Sequence, residues 1–236
     1  MVPVYGLFDP MYWLLIGPTM VIALWASLKV KWAFGKWSKV AVSSRLTGAQ
    51  AAARVLAAEG LSDVRIEETT GFLSDHYDPR TKVLRLSPQV FRVPSVAAVG
   101  VACHEAGHAL QHAANYAPLK FRNAVVPAAS IGSWLAWPMI LGGFLLHLKG
   151  LALLGVIAFS ALVVFQLVTL PVELNASRRA KEVLFNLGVI QVQEEANGVA
   201  AVLNAAAMTY VAATITALAQ LLYFLMRLGV LGNRRH

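Results

Sequence analysis

The sequence predicts a mainly α-helical membrane protein with about four transmembrane helices and a small α+β domain on the cytoplasmic side. The chain is 58% hydrophobic and only 14% charged, whereas soluble domains contain about 25% charged residues. Four apolar segments are close to the ~20 residues that an α-helix needs to cross a bilayer. These segments run from about Met11 to Lys29, Ala124 to Leu146, Leu151 to Leu170 and Val199 to Met226.

The basic residues predict the orientation of these segments. The net charge is +8, but most Lys and Arg residues flank apolar runs, which favours membrane orientation over a nucleic-acid interface. Residues 31–123 and 171–198 fall on the same side and carry most of the positive charge, so the positive-inside rule makes that side cytoplasmic. Lys29 and Lys31 follow the first apolar run, which is typical of an uncleaved anchor. The basic tail 233–236 then lies outside, against the rule.

Five segments describe the expected domain organisation. They are an N-terminal anchor with a basic juxtamembrane segment (1–40), the α+β domain (41–123), a transmembrane hairpin (124–170), a cytoplasmic segment (171–198) and a C-terminal transmembrane helix with its tail (199–236).

The polar region between the first two spans contains segments with helical periodicity and segments with the alternation of β-strands. Residues 47–60 predict an amphipathic helix with Thr47 as its N-cap and Gly60 at its end. Residues 64–68 alternate as a strand does, and residues 71–87 predict a β-hairpin around the turn at 78–81. Pro94 and Ser95 open a further helix that we expect to continue to about Asn115.

That last helix contains His104-Glu105-Ala106-Gly107-His108, an HExxH motif. Two imidazoles at positions i and i+4 face the same side of a helix and can bind one Zn²⁺, while Glu105 can act as general base. A chance match is the alternative, but buried His and Glu side chains are costly among apolar residues unless they are paired or bind a metal. Gly107 costs the helix ~1 kcal/mol relative to Ala, which close approach of another backbone would offset.

The third ligand must come from another segment. His112 continues the i+4 series, but it lies about 12 Å along the helix axis from His104, too far to share one zinc ion. Glu173 stands out because an acidic side chain at a membrane boundary is costly and marks a functional site by default. The alternative is a carboxylate paired with Arg178 or Arg179. Both segments are predicted on the same side of the membrane, as a shared metal requires.

Three segments resemble the membrane-bound neutral zinc metallopeptidases of the YugP type: HEAGHALQHA (104–113), SDHYDPRTKVLRLS (74–87) and ELNASRRAKEVL (173–184). The resemblance covers nearly the whole chain, including the opening FDPMYWLL (8–15). More distantly, HExxH followed by ExxxS is similar to the gluzincin membrane proteases. Those typically have Asp where this chain has Ser177, so an Asp partner for a ligand histidine cannot be carried over.

The resemblance implies a zincin-like domain with zinc on His104, His108 and Glu173 and with Glu105 as general base. Asn175 or Ser177 is then expected to hold a ligand histidine. The resemblance also implies that Lys82 to Ser87 form an exposed edge strand beside the cleft, along which an extended peptide substrate binds by β-augmentation.

The expected function is therefore that of an integral membrane zinc endopeptidase, which hydrolyses peptide bonds with a zinc-activated water. We expect it in a bacterial cell membrane, in contact with lipid, with its site facing the cytoplasm; the sequence identifies no partner protein. Oxyanion stabilisers or other supporting residues stay open among His76, Tyr77 and Arg178. The alternative function is a zinc-binding, non-catalytic scaffold or pseudoprotease. A transporter is disfavoured because the spans carry no ionisable group near the midplane.

Overall fold

The computed structural model describes residues 9–71 and 74–230 and contains seven helices and three strands within them. The expected tail 233–236 and the start of the opening segment, Phe8, lie outside the described residues. In chain order the elements are α1 (Pro10–Trp37), α2 (Gly48–Ala58), β1 (Arg65–Glu68), β2 (His76–Asp78), β3 (Val83–Leu86), α3 (Pro88–Phe91), α4 (Val96–Ala113), α5 (Ala117–Leu145), α6 (Lys149–Asn186) and α7 (Gln193–Arg227).

Four of these helices, α1, α5, α6 and α7, are long and apolar enough to cross a membrane. They coincide with the four predicted spans, and each continues beyond the predicted limits at one or both ends. The largest extension is in α6, which does not stop after Leu170 but continues as one helix to Asn186. The fold class predicted from composition and hydropathy is confirmed.

The described residues form two compact units. One contains residues 9–25, 121–170 and 209–230, and the other contains Ala26–Lys120 and Pro171–Met208. The first unit includes the predicted hairpin of α5 and α6, joined by residues 146–148. A Cβ added at Gly143 would lie 2.4 Å from the backbone nitrogen of Ala152, and one at Gly132 would lie 2.4 Å from the carbonyl oxygen of Ala158. Small residues therefore let these two helices pack with their backbones close together.

The second unit contains the α+β part of the chain. Helix α2 has the predicted N-cap, which the structure shows to be part of a capping box: the Thr47 hydroxyl accepts from the backbone N–H of Gln50, whose side chain accepts from the N–H of Thr47. Gly60 follows the helix with φ of +71°, a conformation that glycine adopts without strain. The predicted strand and hairpin are also present, as β1 and as antiparallel β2 and β3.

The sheet order corrects one expectation. Strand β3 is the central strand, paired in parallel with β1 and antiparallel with β2. The segment from Lys82 to Ser87 is therefore not an exposed edge strand, and β-augmentation along it is excluded because its backbone groups are already paired on both sides. Leu84 and Leu86 of this strand are fully buried, as expected for a central strand. The edges of the described sheet are β1 and β2.

Candidate metal centre

Helix α4 positions three of the predicted site residues. Its N-terminus is capped by Ser95, whose hydroxyl accepts from the N–H of Ala98, and the helix ends at Ala113, two residues before the predicted limit. The apolar side of α4 lies in the core of the second unit, with Val99, Ala102 and Cys103 fully buried. His104 and His108 lie one turn apart, and their ring centroids are 4.9 Å from each other. The core packing of α4 thereby fixes both imidazoles.

Glu173 reaches these histidines from α6. Its Oε2 atom lies 3.2 Å from Nε2 of His104 and 3.5 Å from Nε2 of His108. The carboxylate side of this contact is buried, since Glu173 is only 2% exposed. One ligand atom from each of His104, His108 and Glu173 lies within 4.8 Å of the others. The structure thus brings together the three residues that the sequence predicts as ligands.

The donor set and its spacing fit zinc. Tetrahedral zinc with bonds of about 2.0–2.1 Å holds its ligand atoms about 3.3 Å apart, and two imidazoles with one carboxylate are a known ligand set of catalytic zinc sites. The two Nε2–Oε2 distances, 3.2 and 3.5 Å, lie on either side of that separation. Three protein ligands leave one position of a tetrahedron for water or substrate.

Polar side chains contact the Nδ1 atom of each imidazole, the ring nitrogen that does not face Glu173. The Ser177 hydroxyl lies 3.1 Å from Nδ1 of His104, and Oε1 of Gln111 lies 3.0 Å from Nδ1 of His108. The Gln111 amide nitrogen donates to the Val172 carbonyl oxygen and to Oδ1 of Asn175. Such contacts orient metal-binding histidines and select their tautomer. Of the supporting residues named from the sequence, Ser177 therefore contacts a ligand histidine directly, and Asn175 contacts it only through Gln111.

Gly107 allows α6 to approach α4 at the site. A Cβ built on Gly107 would lie 2.9 Å from the carbonyl oxygen of Ala176, which is part of the helix backbone and cannot move aside cheaply. Ala176 lies less than one turn beyond Glu173 on α6. The close approach of a second backbone, inferred from the cost of a glycine within HExxH, is present.

Glu105 is half-buried and follows His104 directly. Burial raises the pKa of its carboxyl group, and the nearby His104 and His108 oppose that rise. Burial also raises the pKa of the Cys103 thiol, which is fully buried and keeps its proton. Cys103 is therefore an inert, buried thiol beside the motif.

The remaining predicted residues lie elsewhere in the unit. The His76 ring contacts the Ser74 carbonyl oxygen at 2.8 Å and is exposed, while the Tyr77 hydroxyl lies 3.0 Å from Nδ1 of His112. Arg178 is exposed and lies 3.6 Å from Glu182. None of these contacts joins His76, Tyr77 or Arg178 to the three-ligand cluster.

Sequence reasoning missed Gln111. It lies three residues after His108, a spacing that makes two side chains neighbours on a helix. That signal was present, but a polar residue facing water has the same spacing, so only burial identifies Gln111 as part of the site.

Two largely buried histidines on one helix, completed by a glutamate from a second helix, match the ligand set of zinc sites that have three protein ligands. Comparison with known families specifies this class of site. The chain belongs to the family described as "Putative neutral zinc metallopeptidase", which matches residues 12–229.

A curated relative gives a similar result. The chain is 50% identical to "Putative membrane protease YugP" of Bacillus subtilis (strain 168) over 205 residues, which cover 87% of this chain and 91% of that protein. No solved structure shows a significant match to the chain. The predicted family resemblance is confirmed.

Proposed function

We propose that this protein is an integral membrane zinc endopeptidase in which His104, His108 and Glu173 hold the metal. One observation carries the proposal: the carboxylate oxygen of Glu173 lies 3.2 and 3.5 Å from the two Nε2 atoms, the separation expected of ligands around one zinc ion. The family match supports peptides as the substrate class.

Glu105 is the proposed general base. Zinc held by His104, His108 and Glu173 would polarise a water molecule and the scissile carbonyl, which would make hydroxide available near neutral pH. The carboxylate of Glu105 accepts a proton as the water attacks the carbonyl carbon and returns it to the leaving amine. Its place between the two histidines in HExxH, half-buried beside them, is what this role requires.

The substrate strand needs a free sheet edge. Strand β2 pairs with β3 on one side, and within residues 9–71 and 74–230 no strand pairs with its other side. An extended peptide can therefore add along His76–Asp78 by β-augmentation, with its carbonyl groups directed by main-chain hydrogen bonds. The charge distribution supports a site on the cytoplasmic side of the membrane. The bacterial relative supports a bacterial cell membrane.

The test combines zinc content with proteolysis of the full-length protein in detergent, using unfolded β-casein as the substrate. We expect about one zinc per chain for the wild type and for Glu105→Gln, with cleavage by this variant reduced by at least ~100-fold because the proton acceptor is lost. Glu173→Ala should lose both zinc and cleavage. Glu182→Ala is the matched control, since Glu182 is an exposed acid on the same helix.

Two results would overturn the proposal. Cleavage by Glu105→Gln at the wild-type rate would exclude Glu105 as general base. Full zinc affinity in Glu173→Ala would exclude Glu173 as a ligand. Zinc bound by the wild type without any cleavage of casein would favour a non-catalytic scaffold.

A further inference from the structure

Gln111 is a fully buried amide at the second ligand histidine. Its side chain is 0% exposed, lies on α4 one turn after His108, and contacts three polar groups. We propose that Gln111 is a positioning residue that keeps the proton of His108 on Nδ1 and so presents the Nε2 lone pair to the metal. This inference rests on the proposed function and assigns the part of the site that selects the tautomer.

The orientation of the Gln111 amide follows from its partner on the α6 backbone. A carbonyl oxygen can only accept, so the Gln111 atom that lies 2.8 Å from the Val172 oxygen must be the amide nitrogen. The opposite atom of the amide, which lies 3.0 Å from Nδ1 of His108, must then be the oxygen. Because Oε1 has no hydrogen to donate, Nδ1 of His108 has to carry one.

A second chain of contacts gives the same orientation independently. The Arg179 guanidinium can only donate, and its Nε lies 2.9 Å from an Asn175 side-chain atom, which is therefore Oδ1. That same Oδ1 lies 2.9 Å from the Gln111 amide, which must face it with nitrogen. Two acceptor-only groups, on Val172 and Asn175, thus hold the amide in one orientation.

The other ligand histidine has a different kind of partner. Ser177 contacts Nδ1 of His104 with a hydroxyl group, which can donate or accept. This contact is compatible with either tautomer of His104. The amide network at His108 is compatible with one tautomer only, the one whose Nε2 atom is free to bind a metal.

The experiment measures zinc affinity of the full-length protein in detergent by competition with a chelator of known affinity. Gln111→Met removes the acceptor and keeps an uncharged side chain of similar length, so we expect zinc affinity to fall about 10–100-fold. Gln111→Glu keeps an oxygen that accepts from Nδ1, and we expect its affinity to stay within about threefold of the wild type, a smaller change than for Gln111→Met. Gln193→Met is the matched control, since Gln193 makes an exposed amide contact with Asn197.

The pair of variants separates tautomer selection from a merely structural role. In its ionised form, the side chain of Gln111→Glu cannot donate to Val172 and Asn175. If Gln111 served only to hold α4 and α6 together through these hydrogen bonds, both variants would therefore be impaired. Equal loss of affinity in the two variants would therefore overturn the proposal, as would wild-type affinity in Gln111→Met.

Two further measurements keep the test decisive. If Gln111→Met loses its helical circular dichroism, 15N NMR of the histidine rings in the metal-free wild type replaces it, with the His108 signals assigned by their absence from His108→Ala: a His108 ring that carries its proton on Nε2 alone would overturn the proposal. His108→Ala tests the metal site itself. If it binds zinc as tightly as the wild type, the proposed function fails, whatever the role of Gln111.

Discussion

Each histidine of the HExxH pair uses its two nitrogens differently. The Nε2 atoms face Glu173, and the Nδ1 atoms face Ser177 and Gln111. The spacing of the motif predicts that the two imidazoles face the same side of α4, since i and i+4 residues share a helix face, and Glu173 was named from its position at a membrane boundary. The contacts of the Nδ1 atoms depend on which side chains of α4 and α6 become buried together, and local spacing does not contain that information.

The carboxyl group of Asp75, next to the β-hairpin of β2 and β3, allows the effect of burial on its pKa and on folding to be tested. Its carboxylate accepts from the backbone N–H and the hydroxyl of Ser87. Burial raises the pKa of Asp75, and these hydrogen bonds only partly offset the rise. A raised pKa in the folded state means that this group favours folding below its ordinary pKa, and that the contribution is lost as the pH rises through the folded value.

We therefore expect Asp75→Asn to melt at a higher temperature than the wild type at pH 7, with the difference vanishing as the pH falls towards about 4. Asn keeps an acceptor for Ser87 but carries no charge. The measurement is thermal unfolding in detergent across this pH range. Asp78→Asn is the control with the opposite sign, because hydrogen bonds from Thr81 and Arg80 lower the pKa of Asp78. A constant difference across the pH range would contradict the prediction.

At the scale of helices and strands, the site depends on how closely α4 and α6 pack. Gly107 allows this approach, since a Cβ there would meet the Ala176 backbone oxygen at 2.9 Å. We expect Gly107→Ala to lower both the melting temperature and the zinc affinity, although Ala is the better helix former by ~1 kcal/mol. Chelator competition and thermal unfolding on the same preparation measure the two effects.

Gly100 supplies the matched control on the same helix. A Cβ there would meet the side chain of Val199 at 3.4 Å, an ordinary van der Waals distance. Gly100→Ala should therefore raise or maintain the melting temperature and leave zinc affinity unchanged. Equal stabilisation by the two substitutions would show that the α4–α6 approach does not constrain position 107.

In the sheet, the strands of the hairpin were predicted from the sequence, but the order of all three strands was not. Alternation and the turn at 78–81 correctly predicted the hairpin of β2 and β3. They did not predict that β1 pairs with β3, because alternation reports which face of a strand is buried and not which strands are its neighbours. The expected edge strand was wrong for that reason, since the edges of the described sheet are β1 and β2.

For the whole molecule, the positive-inside rule predicts that the turn of the β-hairpin, residues 78–81, and the connection between α5 and α6, residues 146–148, lie on opposite sides of the membrane. Single cysteines introduced into a Cys103→Ala background test this in bacterial cells, with a membrane-impermeant maleimide. We expect Leu148→Cys to be labelled in intact cells, and Arg80→Cys only after the membrane is permeabilised. Both positions are exposed. Labelling of Arg80→Cys in intact cells would reverse the proposed orientation.

The sequence by itself determined the membrane-spanning helices, the helix with HExxH and the identity of the three candidate ligands. The helices and the histidine pair follow from hydropathy and helical spacing, which are properties of neighbouring residues, whereas Glu173 was named from its position at a membrane boundary and from the family resemblance. Tertiary structure alone decided the order of the strands, the close contact of Gly107 with α6 and the amide network of Gln111. Each of these joins segments far apart in the chain, such as Gln111 with Val172 and Asn175, and is selected by packing and the pairing of buried polar groups.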